Sequence, residues 1–109
     1  MMQNARRRVC HEAVDVYGTE AQMVVAVEEF SELQKEICKK LRGAGSRVNM
    51  AEEIADVEIM LEQIKYMLAG DDEYERIKID MEIEAWKETK VRRLAGMIQE
   101  YKRVAGDGR

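Results

Sequence analysis

The sequence predicts an all-α protein, a four-helix up-down bundle of helical hairpins completed by oligomerisation. Three observations carry this reading. The 109 residues include no proline, so no pyrrolidine ring breaks a helix interior. Helix formers dominate, charged residues make up 37% and aromatic residues only 6%, a balance that favours helices over sheets. Apolar residues recur three and four apart between glycine stops, the period of a helix with one buried face. The length fits a single domain, residues 1–109, and a core this small favours self-association.

The first helix is expected from about Asn4 to Tyr17, with Val9, Ala13, Val14 and Tyr17 at helical intervals and Gly18 as its stop. Thr19 reads as the cap of the second helix, with Gln22 completing a capping box. That helix runs to about Arg42 on a core stripe of Met23, Val27, Phe30, Leu33, Ile37 and Leu41, and Gly43 ends it. After the short loop "GAGSRV", Asn49 is the expected cap of the third helix, with Glu52 at the box position. Ile54, Val57, Leu61, Ile64 and Leu68 face inward, Gly70 closes the helix, and Asp71 or Asp72 caps the next. The fourth region, about Glu73 to Val104, alternates apolar and polar residues in "IKIDMEIEAW" as a strand does. Its Glu, Lys and Met content and the lack of a turn to a partner strand make it a helix, with a break near Asp80. Its stripe is Ile83, Trp86, Leu94, Ile98 and Tyr101, and "AGDGR" is a frayed tail.

Composition excludes some functions. A net charge of −4 argues against a general nucleic-acid binder, which carries a basic surface, and "RRR" at 6–8 is too short to reverse that. No stable nucleic-acid binding is expected. Cys10 and Cys38 have neither zinc-site nor disulfide spacing and read as reduced thiols. No apolar run approaches the ~18 residues of a membrane span. The amino-terminal stretch lacks the apolar core of a secretion signal, so a cytoplasmic location is expected.

The informative feature is acidic. Glu29 and Glu32 lie three apart and share a helix surface. With Glu36 they form an acidic stripe beside the core stripe. On the third helix Glu53 and Asp56 are also three apart. Asp56 points to the edge of the apolar arc, and Glu53 points into it, between Val57 and Met60 and in line with Ile64. A buried carboxylate must be neutral, paired or bound to a cation. Twenty residues separate Glu32 from Glu53, enough for the two pairs to face each other across an antiparallel seam. Carboxylates converging at low dielectric repel, and magnesium suits them, since it prefers carboxylate oxygens and keeps waters and substrate phosphates as its other ligands. Pairs of glutamates three apart also occur on ordinary solvated helix faces; Glu53 on the apolar side separates the two cases. Glu28, Glu52, Glu58 and Glu62 read as solvent-facing.

"EEFSEL" followed by "NMAEEIADVEIMLEQI" resembles the MazG-like branch of the all-α nucleoside triphosphate pyrophosphohydrolases. The shared signature is ExxE, a variable gap, then ExxD: here Glu29 and Glu32, then Glu53 and Asp56. The likeness runs from "YGTEAQ" through "LEQI", about half the chain. It implies that Glu29, Glu32, Glu53 and Asp56 are the catalytic, Mg2+-binding set. The metal would hold a nucleoside triphosphate and activate a water that attacks the α-phosphorus, giving a nucleoside monophosphate and pyrophosphate. It also implies a homo-oligomer, dimer or tetramer, and matches Lys90, Arg93 and Leu94 to a Lys-x-x-Arg-Leu pattern whose two cations contact substrate phosphates. Beside this stands the plainer reading of Lys90 and Arg93 as a solvated basic face.

The other candidates are weaker. "RGAGSRVN" reaches toward the acids through Arg42 or Arg47 but is no P-loop. Lys39 and Lys40 read as surface charges, His11 as structural, Trp86 as a core or interface anchor, Phe30 as core, and the methionines as packing. The rival of another class is a non-catalytic helical assembly or nucleotide-binding protein. It accounts for the apolar stripes but not for Glu53.

Overall fold

Four helices account for nearly all of the described residues, 1–107, of this computed structural model. They are α1 (Gln3–Tyr17), α2 (Thr19–Leu41), α3 (Arg47–Ala69) and α4 (Glu73–Asp107). No strand occurs among the described residues. The expected all-α four-helix bundle is what forms.

The helix ends follow from local chemistry, not always from the residues expected. Gly18 alone joins α1 to α2, and its φ of 99° is open to glycine and strained for other residues. Thr19 is already helical, and its side chain caps nothing. The capping box fails because Gln22 is spent elsewhere: it is buried, and its Nε2 donates to Gln63 Oε1 at 2.7 Å. The cap of α3 is Ser46, three residues before the expected Asn49, with Oγ accepting from Asn49 N at 3.1 Å. Asp72 caps α4 as expected, its Oδ1 accepting from Tyr74 N at 2.8 Å. No break occurs at Asp80, and α4 runs unbroken for 35 residues. Asp80 sits well inside that run with Arg76 one turn away at 3.4 Å, an (i, i+4) pair that supports the helix. Ala105–Asp107 of the expected tail are helical, and the last two residues lie outside the described ones.

Side-chain pairs fix the directions. His11–Glu62 and Asp15–Tyr66 advance together, so α1 runs parallel to α3. Gln22 meets Gln63 while Glu29 meets Asp56, so α2 is antiparallel to α3. Along that hairpin the residues removed from solvent include Gln22, Ala26, Glu29, Leu33 and Glu36 on α2, and Met50, Glu53, Val57, Met60 and Ile64 on α3. Both sets alternate steps of three and four, the seam of a coiled coil.

This seam corrects the expected core. Of the α2 stripe only Phe30 and Leu33 are half-buried, while Val27 is 68% and Leu41 83% exposed. On α3, Ile54, Leu61 and Leu68 are exposed, and on α4 Trp86, Leu94, Ile98 and Tyr101 are. The reason lies in the neighbouring face of α2. Ala26 is small enough for a close helix approach, and Gln22 finds Gln63. The smaller, more polar face therefore turns inward and leaves the bulkier one outside.

The side-chain pairs that tie α4 to the other helices are ionic. Buried Arg76 donates to Glu62 Oε1 at 2.8 Å and lies 3.4 Å from Asp80 Oδ2. Its Nη1 is 3.2 Å from His11 Nε2, which is itself 3.1 Å from Glu62 Oε2. That one nitrogen either accepts from Arg76 or donates to Glu62, according to its proton. The His11 ring stacks on Tyr66 at 4.1 Å, and Tyr66 Oη donates to Asp15 Oδ1 at 2.8 Å. Glu62 is thus the centre of a network and not a solvent-facing charge. Lys65 pairs with Asp80 at 3.4 Å, and from Glu84 to Ala105 every residue of α4 is exposed.

Removing one member of a buried ion pair leaves its partner uncompensated. Arg76→Leu is expected to lower the unfolding free energy by about 3 kcal/mol, near the lower end of that class because Glu62 keeps some solvent contact. Adding Glu62→Leu is expected to restore part of the loss; urea unfolding of both variants checks this.

Candidate metal centre

The α2–α3 seam brings three of the four predicted acids together. One carboxylate oxygen each from Glu29, Glu53 and Asp56 lies within 4.8 Å of the others, and all three residues are half-buried. Glu29 comes from α2 at a seam position. Glu53 and Asp56 come from successive turns of α3, three residues apart and so on one surface. Glu53 Oε2 is buried and has no hydrogen-bond partner.

Electrostatics records the crowding. Loss of solvent, then the Asp56 charge and a hydrogen bond to Asp56, then the charges of Glu53 and Glu32, raise the Glu29 carboxyl above its ordinary range. Glu53 is raised by loss of solvent first and then by Asp56, Glu32, Glu52 and Glu36. These are the marks of acids held together without a counter-charge. Magnesium binds oxygens at about 2.0–2.1 Å, which sets octahedral neighbours about 3 Å apart. Small side-chain movements bring three oxygens within 4.8 Å to that spacing. The residues present therefore fit a hard divalent cation.

Glu32 stands outside this trio. Its side chain is 49% exposed and lies 3.9 Å from Lys35, although its charge reaches both Glu29 and Glu53. Lys90 and Arg93 are not brought to the acids within this chain. Both lie on the exposed part of α4, where Lys90 Nζ sits 5.9 Å from the centre of the Trp86 ring.

Glu36 takes a larger part than its sequence position beside the stripe suggested. It is 7% exposed, and Oε2 has no hydrogen-bond partner. The signal that finds it is its spacing from Glu29: seven residues, two turns along the same face.

No protein-family model, curated protein or solved structure matches this chain.

A carboxyl with a raised folded-state pKa holds its proton more tightly folded than unfolded. The folded state then gains stability as pH falls through that window and is penalised above it. Metal-free protein is expected to become more stable as pH drops from neutral toward the raised values of Glu29 and Glu53. Asp80 acts oppositely: burial raises it, but Lys65 and Arg76 outweigh that and hold it low, so its contribution is lost at more acid pH. Magnesium is expected to raise the neutral-pH melting temperature. Glu53→Gln is expected to stabilise the metal-free protein and to lose most of the magnesium response. Thermal scans across pH, with and without magnesium, check all of these outcomes.

Proposed function

We propose that the chain is a magnesium-dependent nucleoside triphosphate pyrophosphohydrolase of the MazG-like type, acting in nucleotide-pool housekeeping in the cytoplasm. The observation that carries this is the convergence of Glu29, Glu53 and Asp56, with a buried Glu53 oxygen that no described residue satisfies. Bound magnesium supplies charge neutralisation for the triphosphate and lowers the pKa of a coordinated water. Glu29, Glu53 and Asp56 hold the cation, and Glu32, one turn from Glu29, completes the set. A carboxylate of the set not committed to the cation accepts the proton of the water that attacks the α-phosphorus. The bond to the bridging oxygen breaks, and pyrophosphate leaves the monophosphate.

In this reading the enzyme is a homo-oligomer, dimer or tetramer. The apolar residues left outside on α2, α3 and α4 recur at helical spacing, and large ordered apolar surfaces mark interaction sites. Lys90 and Arg93, remote from their own chain's acids, then serve the phosphates of a neighbouring copy. The same apolar faces favour the second reading, a non-catalytic helical assembly; Glu53 favours the first.

Pyrophosphate release from a panel of nucleoside triphosphates is expected with magnesium and not with EDTA. Glu53→Gln is expected to reduce it at least 100-fold with the fold retained, and activity intact in that variant counts against the assignment. Trp86→Glu with Leu94→Glu is expected to lower the oligomeric state in sedimentation velocity.

A further inference from the structure

A cavity at the closed end of the α2–α3 hairpin lies on the same seam as the acidic trio, and the function proposed above leaves it unused. Its volume is about 440 Å3, within the range of small-ligand pockets. Glu36, Lys40, Gly45, Arg47, Met50 and Ile54 line it.

Glu36 distinguishes this cavity from a packing defect. Its side chain is only 9% exposed, and Oε1 accepts from Lys39 Nζ at 3.2 Å. Oε2 is buried without a partner. An acceptor buried without a donor carries a desolvation cost, and a ligand that donates a hydrogen bond removes it. Oε2 lies under Gly45, where an added Cβ would come within 3.4 Å of it. Gly43 and Gly45 both have positive φ, so the turn over the carboxylate hinges on its two least constrained residues. A donor reaches Oε2 only where that turn moves off it.

The lining narrows the ligand. A phosphate placed against Oε2 is repelled by the Glu36 carboxylate and cannot donate the missing hydrogen bond when ionised. A second divalent cation is repelled by Lys39, Lys40 and Arg47. An uncharged ring with a donor at its edge matches this chemistry: Met50, Ala51 and Ile54 offer apolar lining, and Lys40 or Arg47 can lie over its face. Glu36 is two turns from Glu29, about 10 Å along the helix, and its charge is felt at Glu53. The cavity thus opens off the same hairpin as the place where a triphosphate would be held, about two turns of α2 away.

We propose that this cavity receives the nucleobase of the substrate, and that Glu36 selects bases bearing an exocyclic amino group over their oxo counterparts. The amino group donates to Oε2, whereas an oxo group at the same ring position turns a lone pair toward it. The assignment rests on the pyrophosphohydrolase reading for the placement of the triphosphate.

The test compares the matched pairs CTP/UTP and ATP/ITP, which exchange amino for oxo at one ring position and turn the adjoining ring nitrogen from acceptor to donor. Pyrophosphate release is measured for the native chain, Glu36→Gln, Ala51→Phe and Glu53→Gln. Binding of the α,β-imido analogues of CTP and UTP is followed alongside by calorimetry. The native chain is expected to prefer the amino member of at least one pair by about tenfold or more, the worth of one hydrogen bond to a charged acceptor. Glu36→Gln erases or inverts that preference through KM rather than kcat, because the amide can donate to an oxo group. Ala51→Phe, at an exposed helix position on the cavity wall, weakens all four nucleotides without unfolding the chain.

Equal use of both members of each pair, or a ratio unchanged in Glu36→Gln, overturns the proposal. If Glu53→Gln abolishes release while the Glu36→Gln ratio stays native, the hydrolase stands and the base site falls. If no nucleotide is cleaved but the imido analogues bind with a Glu36-dependent preference, the base site stands and the catalytic reading falls. Absence of both cleavage and analogue binding overturns both.

Discussion

The hairpin of α2 and α3 places carboxylates where a coiled coil places leucine. Glu29 and Glu36 on one helix and Glu53 on the other hold seam positions, and the rest of the molecule depends on how that cost is met. Gln22 and Gln63 set the register with a buried hydrogen bond, and Ala26 lets the helices approach. Met60, Val57 and Leu33 supply the apolar contact between the acids. A seam of this composition is weak as a hydrophobic core, and it keeps acidic groups close together in a poorly solvated place. The ionic network around Glu62 then ties α1 and the start of α4 to α3. The interior is therefore unusually polar for a helical hairpin, and much apolar surface stays outside.

The helices were legible because their signals are local. Glycine stops, helix-forming composition and three-four spacing gave four helices with boundaries close to those observed. The acids were legible for a related reason: Glu53 breaks the apolar arc, and three residues on a helix always bring Asp56 beside it. What was not legible is which of two adjoining faces of α2 turns inward. Met23, Val27, Ile37 and Leu41 make the more apolar face, and a single-chain reading naturally buries it. The choice is made by Gln22 and Ala26, whose partners lie on another helix. The same holds for His11, Glu62 and Arg76, whose pairings span 14 to 65 residues. Spacing within one helix carries no trace of them.

Glu32 and Glu36 show how fine this difference is. They are four residues apart on one helix, yet Glu36 is buried at a seam position and Glu32 is half in solvent. The motif singled out Glu32, and the packing singles out Glu36. Both feed the electrostatics at Glu53, so the acidic site is graded, from residues that touch to residues that only bias it.

The long α4 holds two thermodynamic regimes in one unbroken helix. Its first two turns are tied to α3 and α1 through Arg76 and Asp80 and share the cooperativity of the whole fold. From Glu84 to Ala105 every residue is exposed, and pairs along the helix such as Glu84–Lys87 and Glu88–Arg92 are each worth a few tenths of a kcal/mol. Such a segment opens and closes on its own, and its amides exchange with solvent far faster than those of the hairpin. For the chain on its own, hydrogen exchange along this one helix is therefore expected to fall into a slow and a fast class, with the boundary where side-chain pairing to the other helices ends.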